Sequence, residues 1–226
     1  MKKDRILVFA AHPDDEVLGC GGTISNHSFK NEKVQVVFFT DGESARGLKK
    51  NKHRIDKRKI SAKKAAKILK TCSPIFGDFP DNQLDSVVFL KIVKFVERNI
   101  KKFKPSLIYT HYPEDLNIDH RLVSLAVATA CRPQKRMKVK KILFFEIPSS
   151  TEWKITTNKK KVFNPNWFED ISKTLKIKIK ALQAYDQEMK KWPHPRSLKG
   201  VKSLSEWRGA TVGYNAAEAF VLGRKI

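Results

Sequence analysis

The stretch RILVFAAHPDDEVLGCGG, residues 5–22, carries the signals that decide the fold. Apolar, β-favouring residues fill its first part and predict a buried strand over 5–11. The polar turn HPDDE follows at once, and a helix is predicted from Glu16 to about Phe29 despite its glycines. A buried strand that runs directly into a helix is typical of α/β proteins with a mostly parallel sheet.

The same alternation of strand and helix continues along most of the chain. Apolar patterning predicts four further strands, at 34–40, 73–76, 106–111 and 141–145. It also predicts helices at 57–70, 85–102 and 119–130. We therefore expect an α/β fold of three layers: a doubly wound, mostly parallel sheet in the order 3-2-1-4-5, with helices on both faces.

The alternation is lost after about residue 146. A long helix is predicted near 171–189 and a shorter one at 201–207, and the chain ends with the apolar stretch 216–222. We expect one domain over residues 1–226, with a core of about 1–150. The remainder, about 151–226, is expected to form a C-terminal helical appendage that closes over the sheet.

Basic residues outnumber acidic ones, with 46 Lys and Arg against 23 Asp and Glu and a net charge of +23. Such a charge can attract nucleic acid, an anionic membrane or a phosphate-bearing substrate. The lysines are scattered, and no zinc finger, RNP-like motif or clear helix-turn-helix accompanies them. Nucleic acid is therefore not expected as a partner.

The sequence has neither the pattern of a membrane span nor that of an export signal. No run reaches about 18 apolar residues. The N-terminal apolar run is short and meets HPDD where a signal peptide would be cleaved. The three cysteines, at 20, 72 and 131, form no CxxC pair, so no disulfide framework or cysteine zinc site is predicted. We expect a cytoplasmic protein, either a monomer or a homo-oligomer.

The strand order points to a site. In a doubly wound sheet, ligands bind beyond the carboxyl ends of the strands where the order reverses, here between the first and fourth strands. The first strand runs into His12, and the fourth runs into HYPEDLNIDH, residues 111–120. The two loops that are rich in histidine and carboxylate should therefore face each other.

Histidine and carboxylate side chains are good zinc ligands, and catalytic zinc sites keep one position open. His12 and Asp15 stand three apart at the entry to a helix, and His120 begins another helix; we predict these three as the ligands. Asp14 remains beside them and can act as general base. Zinc lowers the pKa of bound water and polarises a carbonyl, although Fe²⁺ or another divalent ion would also fit the donor set.

Three blocks of the sequence resemble the PIG-L/LmbE-like family of N-deacetylases. They are AHPDDEVLGCGGTI at 11–24, TDGE at 40–43 and NIDHR at 117–121. The resemblance implies a Rossmann-like fold, a zinc ion and hydrolysis of N-acetylated sugars. A subgroup associated with deacetylation of N-acetylglucosamine has similar C-terminal stretches, here FNPN at 163–166 and WPHPRS at 192–197.

Carried over position by position, the resemblance makes His12, Asp15 and His120 the metal ligands and Asp14 the base. The helix N-terminus after the first block favours a negative charge. Two further carboxylates are expected to support the site without binding the metal: Glu16 and Asp119.

Asn117 departs from the family pattern. Many relatives carry a histidine there that protonates or stabilises the transition state, so the general acid of this chain is left open between His194 and His111. We expect Asn117 to contact substrate instead, together with Arg58 and Arg196.

The expected substrate is an N-acetylglucosamine-type amino sugar, free or linked to a nucleotide, a lipid or a glycan precursor. Four arginines near the predicted site would suit a phosphate-bearing form. They are Arg46, Arg58, Arg121 and Arg196. Two alternatives remain: a deacylase for another N-acyl group such as formyl, and a non-catalytic basic domain that binds nucleic acid or anionic glycan.

Overall fold

A computed structural model describes residues 4–45, 51–135, 137–158 and 162–226. Within these ranges, seven strands form one sheet in the order β3-β2-β1-β4-β5-β7-β6. The first five strands are parallel, and β7 runs antiparallel to both of its neighbours. The strands are β1 Arg5–Ala10, β2 Lys33–Thr40, β3 Ile75–Phe79, β4 Leu107–His111, β5 Lys141–Phe145, β6 Trp167–Asp170 and β7 Ala217–Lys225.

Helices cover both faces of the sheet. They are α1 Asp15–Phe29, α2 Lys52–Leu69, α3 Phe89–Phe103, α4 Ile118–Ala130, α5 Leu175–Gln183 and α6 Leu198–Ala210. Side chains of a strand point alternately to opposite faces, so β1 contributes to two cores. Ile6, Val8 and Ala10 pack with α1, α2 and α5, whereas Leu7 and Phe9 pack with α3 and α4. Among the described residues, no helix combines the length and apolar character needed to cross a membrane.

The α/β fold and the order 3-2-1-4-5 of the first five strands are confirmed. The C-terminal part differs in detail from the helical appendage expected, because it adds β6 and β7 to the sheet beside its helices. Strand β7 pairs along β5 and satisfies the backbone groups of an otherwise open edge. The helix predicted near 171–189 is shorter, since α5 begins at Leu175 and ends at Gln183.

Hydrogen bonds at a kink in α1 join the C-terminal part of the chain to the core. Cys20 has non-helical angles inside α1, and the second half of the helix therefore begins with backbone N–H groups in need of acceptors. Gly22 and Thr23 donate theirs to the Glu218 carboxylate of β7, at 2.9 and 2.7 Å. A Cβ on Gly22 would lie 2.7 Å from Cγ2 of Ile171, so glycine here allows the C-terminal part to pack closely on α1.

Candidate metal centre and active site

The carboxyl ends of β1 and β4 bring the three predicted ligands together. His12 Nδ1 lies 3.1 Å from Asp15 Oδ2, and His120 Nε2 lies 3.3 Å from both atoms. Zinc ligands about 2.0–2.1 Å from the ion in a tetrahedron are about 3.3–3.4 Å from one another. All three side chains are buried. Their separations therefore fit one zinc ion.

The electrostatics of the cluster also favour a cation. Burial lowers the pKa of His12, but hydrogen bonds to Asp119 and Asp15 and the nearby Asp15 and Asp81 charges outweigh it and raise this pKa to about 10. Burial raises the pKa of Asp15, yet the charge of His120 and the hydrogen bond to His12 hold it well below its usual range. Among the described residues, Asp15 Oδ1 is buried without a hydrogen-bond partner. The carboxylates thus stabilise a positive charge at this point, and a metal ion can take the place of the proton on His12.

In each of the two histidines, the ring nitrogen that points away from the predicted metal position, here called the outer nitrogen, lies next to carboxylates. His12 Nε2 lies 3.3 Å from Asp119 Oδ2 and 3.3 Å from Asp81 Oδ1. His120 Nδ1 donates to Asp115 Oδ1 over 3.0 Å. Such partners fix the tautomer of a ligating histidine. His12 thus presents Nδ1, and His120 presents Nε2, to the same point.

A second set of possible ligands shares His12 with Asp81 and Asp119. Both oxygens of Asp119 already accept backbone N–H groups, at 2.8 and 3.0 Å. The oxygens of Asp81 accept a hydroxyl and a backbone N–H, at 3.1 and 3.2 Å. The donors are the backbones of Asn82, Leu84 and Ala45 and the hydroxyl of Thr40. We therefore assign these two carboxylates to the support of His12.

Asp81 and Asp115 received no role from the sequence. Asp115 accepts from His120, from the backbone of Asn117, and from Ser150 Oγ and Thr151 Oγ1, both at 2.5 Å. Burial raises its pKa, but the charge of His120 and these hydrogen bonds lower it below its usual value. Its place in the loop between β4 and α4, five residues before His120, was the available signal. Ser150 and Thr151 come from a distant part of the chain.

Asp115→Asn is expected to weaken zinc binding about 10–100-fold, because the neutral amide no longer stabilises the outer N–H of His120. Competition with a chromophoric chelator measures the zinc affinity. Ser150→Ala, which removes one donor to Asp115, should have a smaller effect in the same direction. The exposed Asp85→Asn serves as control, and an unchanged zinc affinity in Asp115→Asn would contradict the assigned role.

Asp14 is held in a strained position beside the cluster. Its φ of 133° is rare for a residue with a side chain and costs about 1–3 kcal/mol. Its backbone N–H donates to Glu16 Oε2 over 3.1 Å, and Glu16 Oε1 accepts from the Tyr185 hydroxyl over 2.7 Å. Glu16 thus ties the turn to the C-terminal part of the chain. Burial raises the pKa of Glu16 to about 8, although the hydrogen bond from Tyr185 opposes the rise.

Two arginines fix the Asp14 carboxylate. Oδ2 lies 3.3 Å from Arg58 Nη2 and 3.2 Å from Arg196 Nη1. Among the described residues, Oδ1 is buried and has no hydrogen-bond partner. Burial raises the pKa of Asp14, and the charges of Arg58 and Arg196 only partly offset this. One oxygen is therefore anchored while the other can accept a proton.

Arg58 was predicted to bind substrate, but it is largely committed to the protein. Its side chain is only 5% exposed. Nε donates to the carbonyl of Pro13 over 2.7 Å, and Nη1 pairs with Glu43 at 3.4 Å and also with Glu188. Arg58 still forms part of the pocket wall, but its main contacts brace the turn that carries Asp14.

A cavity of about 80 Å³ opens beside Asp14. At about 30 Å³ per water molecule, it has room for two or three waters, or one small acyl group. Two grooves of about 500 and 550 Å³ lie elsewhere, and among the described residues neither contains a histidine. We place the site by its chemistry rather than by volume. The small cavity is lined by His12, Asp14, Gly42, Arg58, Asn82, Asn117 and Arg196.

Asn117 lines the cavity and also caps α4. Its Oδ1 accepts from the backbone N–H of Asp119 over 2.8 Å, and its Nδ2 donates to Asn82 Oδ1 over 2.9 Å. Within the described part of the chain, this leaves Nδ2 of Asn82, a residue without a predicted role, as a donor at the cavity. Arg121 donates to the carbonyls of Asp115 and Leu116 and so holds the loop. Arg46 lies outside the described residues.

Neither candidate for the general acid lines the cavity in the described structure. His111 is fully buried, its Nε2 accepts from the backbone N–H of Ala11 over 2.9 Å, and its ring stacks on His120 with 3.9 Å between centroids. Burial holds its pKa well below the usual value, so the ring is neutral and supports packing. His194 contacts Trp153 and the backbone of Arg196. The packing of His111 does not support proton donation by that ring, whereas the role of His194 as general acid stays a prediction.

Known proteins resemble this chain in sequence and in fold. Residues 7–131 match the family described as PIG-L: GlcNAc-PI de-N-acetylase. YaiS of Escherichia coli (strain K12), described as an uncharacterized deacetylase, is 29% identical over 191 residues, which cover 81% of this chain and 91% of YaiS.

Solved structures at lower identity show the same fold. N,N′-diacetylchitobiose deacetylase from Pyrococcus horikoshii has a TM-score of 0.77 at 18% identity, over 98% of this chain and 84% of that chain. GalB, the 4-carboxy-2-hydroxymuconate hydratase of Pseudomonas putida KT2440, has a TM-score of 0.76 at 20% identity, over 99% of this chain and 97% of GalB.

The family match carries more weight than the shared fold. It spans more than half of the chain and includes the two histidines and the aspartate of the metal cluster together with Asp14. The chain therefore belongs to the PIG-L (GlcNAc-PI de-N-acetylase) family and is a hydrolase of N-acetyl amide bonds.

Proposed function

We propose that this protein removes the acetyl group from an N-acetylglucosamine-type amino sugar, free or linked to a nucleotide, a lipid or a glycan, in a zinc-dependent reaction. The observation that carries the proposal is the triangle of His12 Nδ1, Asp15 Oδ2 and His120 Nε2, with sides of 3.1–3.3 Å, next to the open oxygen of Asp14. A binding domain without catalysis has no use for a strained, buried carboxylate beside a metal cluster.

Zinc bound by these three ligands would lower the pKa of a water molecule and polarise the acetyl carbonyl. Asp14 Oδ1 takes the proton of the attacking water. Within the described residues Asp14 is the only carboxylic acid of the cavity wall, so it also returns the proton to the amine nitrogen as the C–N bond breaks. Arg58 and Arg196 hold Oδ2 throughout.

The cavity favours a short acyl group. About 80 Å³ is the size of an acetyl or formyl group, so we expect the sugar ring to lie at the mouth of the cavity. Among the described residues of the cavity wall, Asn82 Nδ2 and the guanidinium of Arg196 can donate to the sugar. Because Arg58 and Arg121 are committed to protein partners, we do not extend the proposal to a phosphate-bearing substrate.

Acetate release is the decisive experiment. The zinc-loaded protein should release acetate from N-acetylglucosamine or N,N′-diacetylchitobiose, and a chelator should abolish the reaction until zinc is restored. Reconstitution with Fe²⁺ under anaerobic conditions compares the metals, and N-formylglucosamine compares the acyl groups. Full activity after complete metal removal, or in His12→Ala, would refute the proposal.

A further inference from the structure

A half-exposed tryptophan is linked to the cavity wall through His194 and Arg196. Trp153 is 48% exposed, and its ring meets that of His194 edge to face, with 5.4 Å between centroids. His194 lies two residues before Arg196, a residue of the cavity wall. An exposed aromatic ring offers a flat apolar surface to a ligand.

Two separate tethers keep this pair at the site. On one side, the turn before Trp153 is bound to Asp115 through Ser150 Oγ and Thr151 Oγ1, both at 2.5 Å. On the other side, Arg196 joins the His194 segment to the site by its 3.2 Å contact with Asp14. Its Nε also donates to the carbonyl of Pro148 over 3.3 Å, which links the two segments. The pair is thereby anchored to the residues that orient the ligands and the base.

Among the described residues, the hydrogen bonding of His194 leaves its Nε2 for a ligand. Its Nδ1 accepts the backbone N–H of Arg196 over 3.1 Å. In the neutral ring the proton therefore lies on Nε2, which can donate to a hydroxyl. Trp153 and His194 together thus offer an apolar face and a hydrogen-bond donor.

A pyranose ring needs both of these features. Its axial C–H groups form an apolar face that packs on an aromatic ring, and its hydroxyls need hydrogen-bond partners. With the acetamido group in the cavity of about 80 Å³, further sugar rings would lie on the surface around it.

We propose that Trp153 and His194 form a carbohydrate subsite for the sugar next to the one that loses its acetyl group. The inference rests on the proposed function and makes the substrate an oligosaccharide of at least two residues. It requires that the subsite lower the KM for a disaccharide without changing the chemistry at Asp14.

Kinetics with sugars of different length test the subsite. With N,N′-diacetylchitobiose, Trp153→Ala should raise KM about tenfold and leave kcat within about twofold, as expected for the loss of one aromatic contact. With N-acetylglucosamine, KM should change by less than about twofold. Trp153→Phe, which keeps an aromatic ring, should raise the KM for the disaccharide much less than Trp153→Ala does. His194→Gln, which keeps a hydrogen-bond donor, should raise this KM less than His194→Ala does. Trp207→Ala, at a 65% exposed tryptophan on α6, is the matched control.

Binding separates this inference from the proposed function. Titration of both sugars into zinc-loaded Asp14→Asn protein should show tighter binding of the disaccharide, and Trp153→Ala in the same background should abolish the preference. If acetate release fails but this preference is found, the proposed function is wrong and the subsite stands. If both sugars bind equally, or if the preference survives Trp153→Ala, the subsite is refuted.

Discussion

Replacing Asp14 by asparagine is expected to lower kcat about 1,000-fold, the scale on which general acid–base groups contribute. In the proposed reaction Asp14 both accepts and returns the proton, and an amide can do neither. Asparagine tolerates positive φ better than most residues, so the turn at φ 133° should keep its shape. Acetate release gives kcat, and metal analysis gives the zinc content, which should remain at one ion per chain.

The neighbouring aspartate should behave differently. Asp15→Asn removes a charged ligand, so both zinc and activity should be lost, whereas Asp14→Asn should lose activity alone. The exposed Asp186→Asn is the control for a change of charge at a distance. Loss of zinc from Asp14→Asn, or a kcat close to that of the unmodified enzyme, would contradict the assignment of Asp14 as the base and Asp15 as the metal ligand.

Arg58→Met is expected to lower the free energy of unfolding by about 3–5 kcal/mol, the cost of removing one partner from a buried ion pair. Methionine preserves much of the volume but leaves Asp14, Glu43 and Glu188 without the guanidinium that they surround. These three carboxylates are all buried, so water cannot replace the lost charge. Urea denaturation measures the change.

Arg54 provides a matched control on the same helix. It pairs with Glu43 at 3.1 Å, as Arg58 also does, but its side chain is 47% exposed. Exposed ion pairs contribute at most about 1 kcal/mol, so Arg54→Met should shift the urea midpoint little. Arg58→Lys keeps the charge but lacks the planar guanidinium, so it should lower the free energy of unfolding by an amount between those of the two methionine variants. Equal effects of Arg54→Met and Arg58→Met would show that burial of this cluster does not matter.

The sequence predicted the half of the molecule that follows from local patterning. Alternating strands and helices led to the order of the first five strands, and that order led to the meeting of His12 with His120. Strand ends in a parallel sheet share one edge, so this convergence needs no knowledge of side-chain packing.

Features that depend on distant partners were not predicted. Asp115 matters because Ser150 and Thr151 approach it, and Arg58 is occupied because Glu188 is buried beside it. Strand β7 was described only as an apolar chain end, since an antiparallel addition after several irregular segments leaves no periodic signal. In each case the determining contact joins residues far apart in sequence.

Fold alone does not identify the chemistry. The chain has similar TM-scores with a chitobiose deacetylase and with a hydratase. A scaffold of this kind supports several reactions, and the site decides among them. Here the family match and the arrangement of His12, Asp15 and His120 around one point favour amide hydrolysis.

The position of β7 in the interior of the sheet affects the cooperativity of the whole molecule. The stretch matched by the family ends at residue 131, before β5, yet β5 is hydrogen-bonded to β7 and α1 is capped by Glu218 of β7. Local opening of the C-terminal part would expose the edge of β5 and remove the cap within the helix that begins at Asp15. The stretch that matches the family therefore relies on residues outside it, and we expect opening of the C-terminal part to disturb the geometry of the ligands.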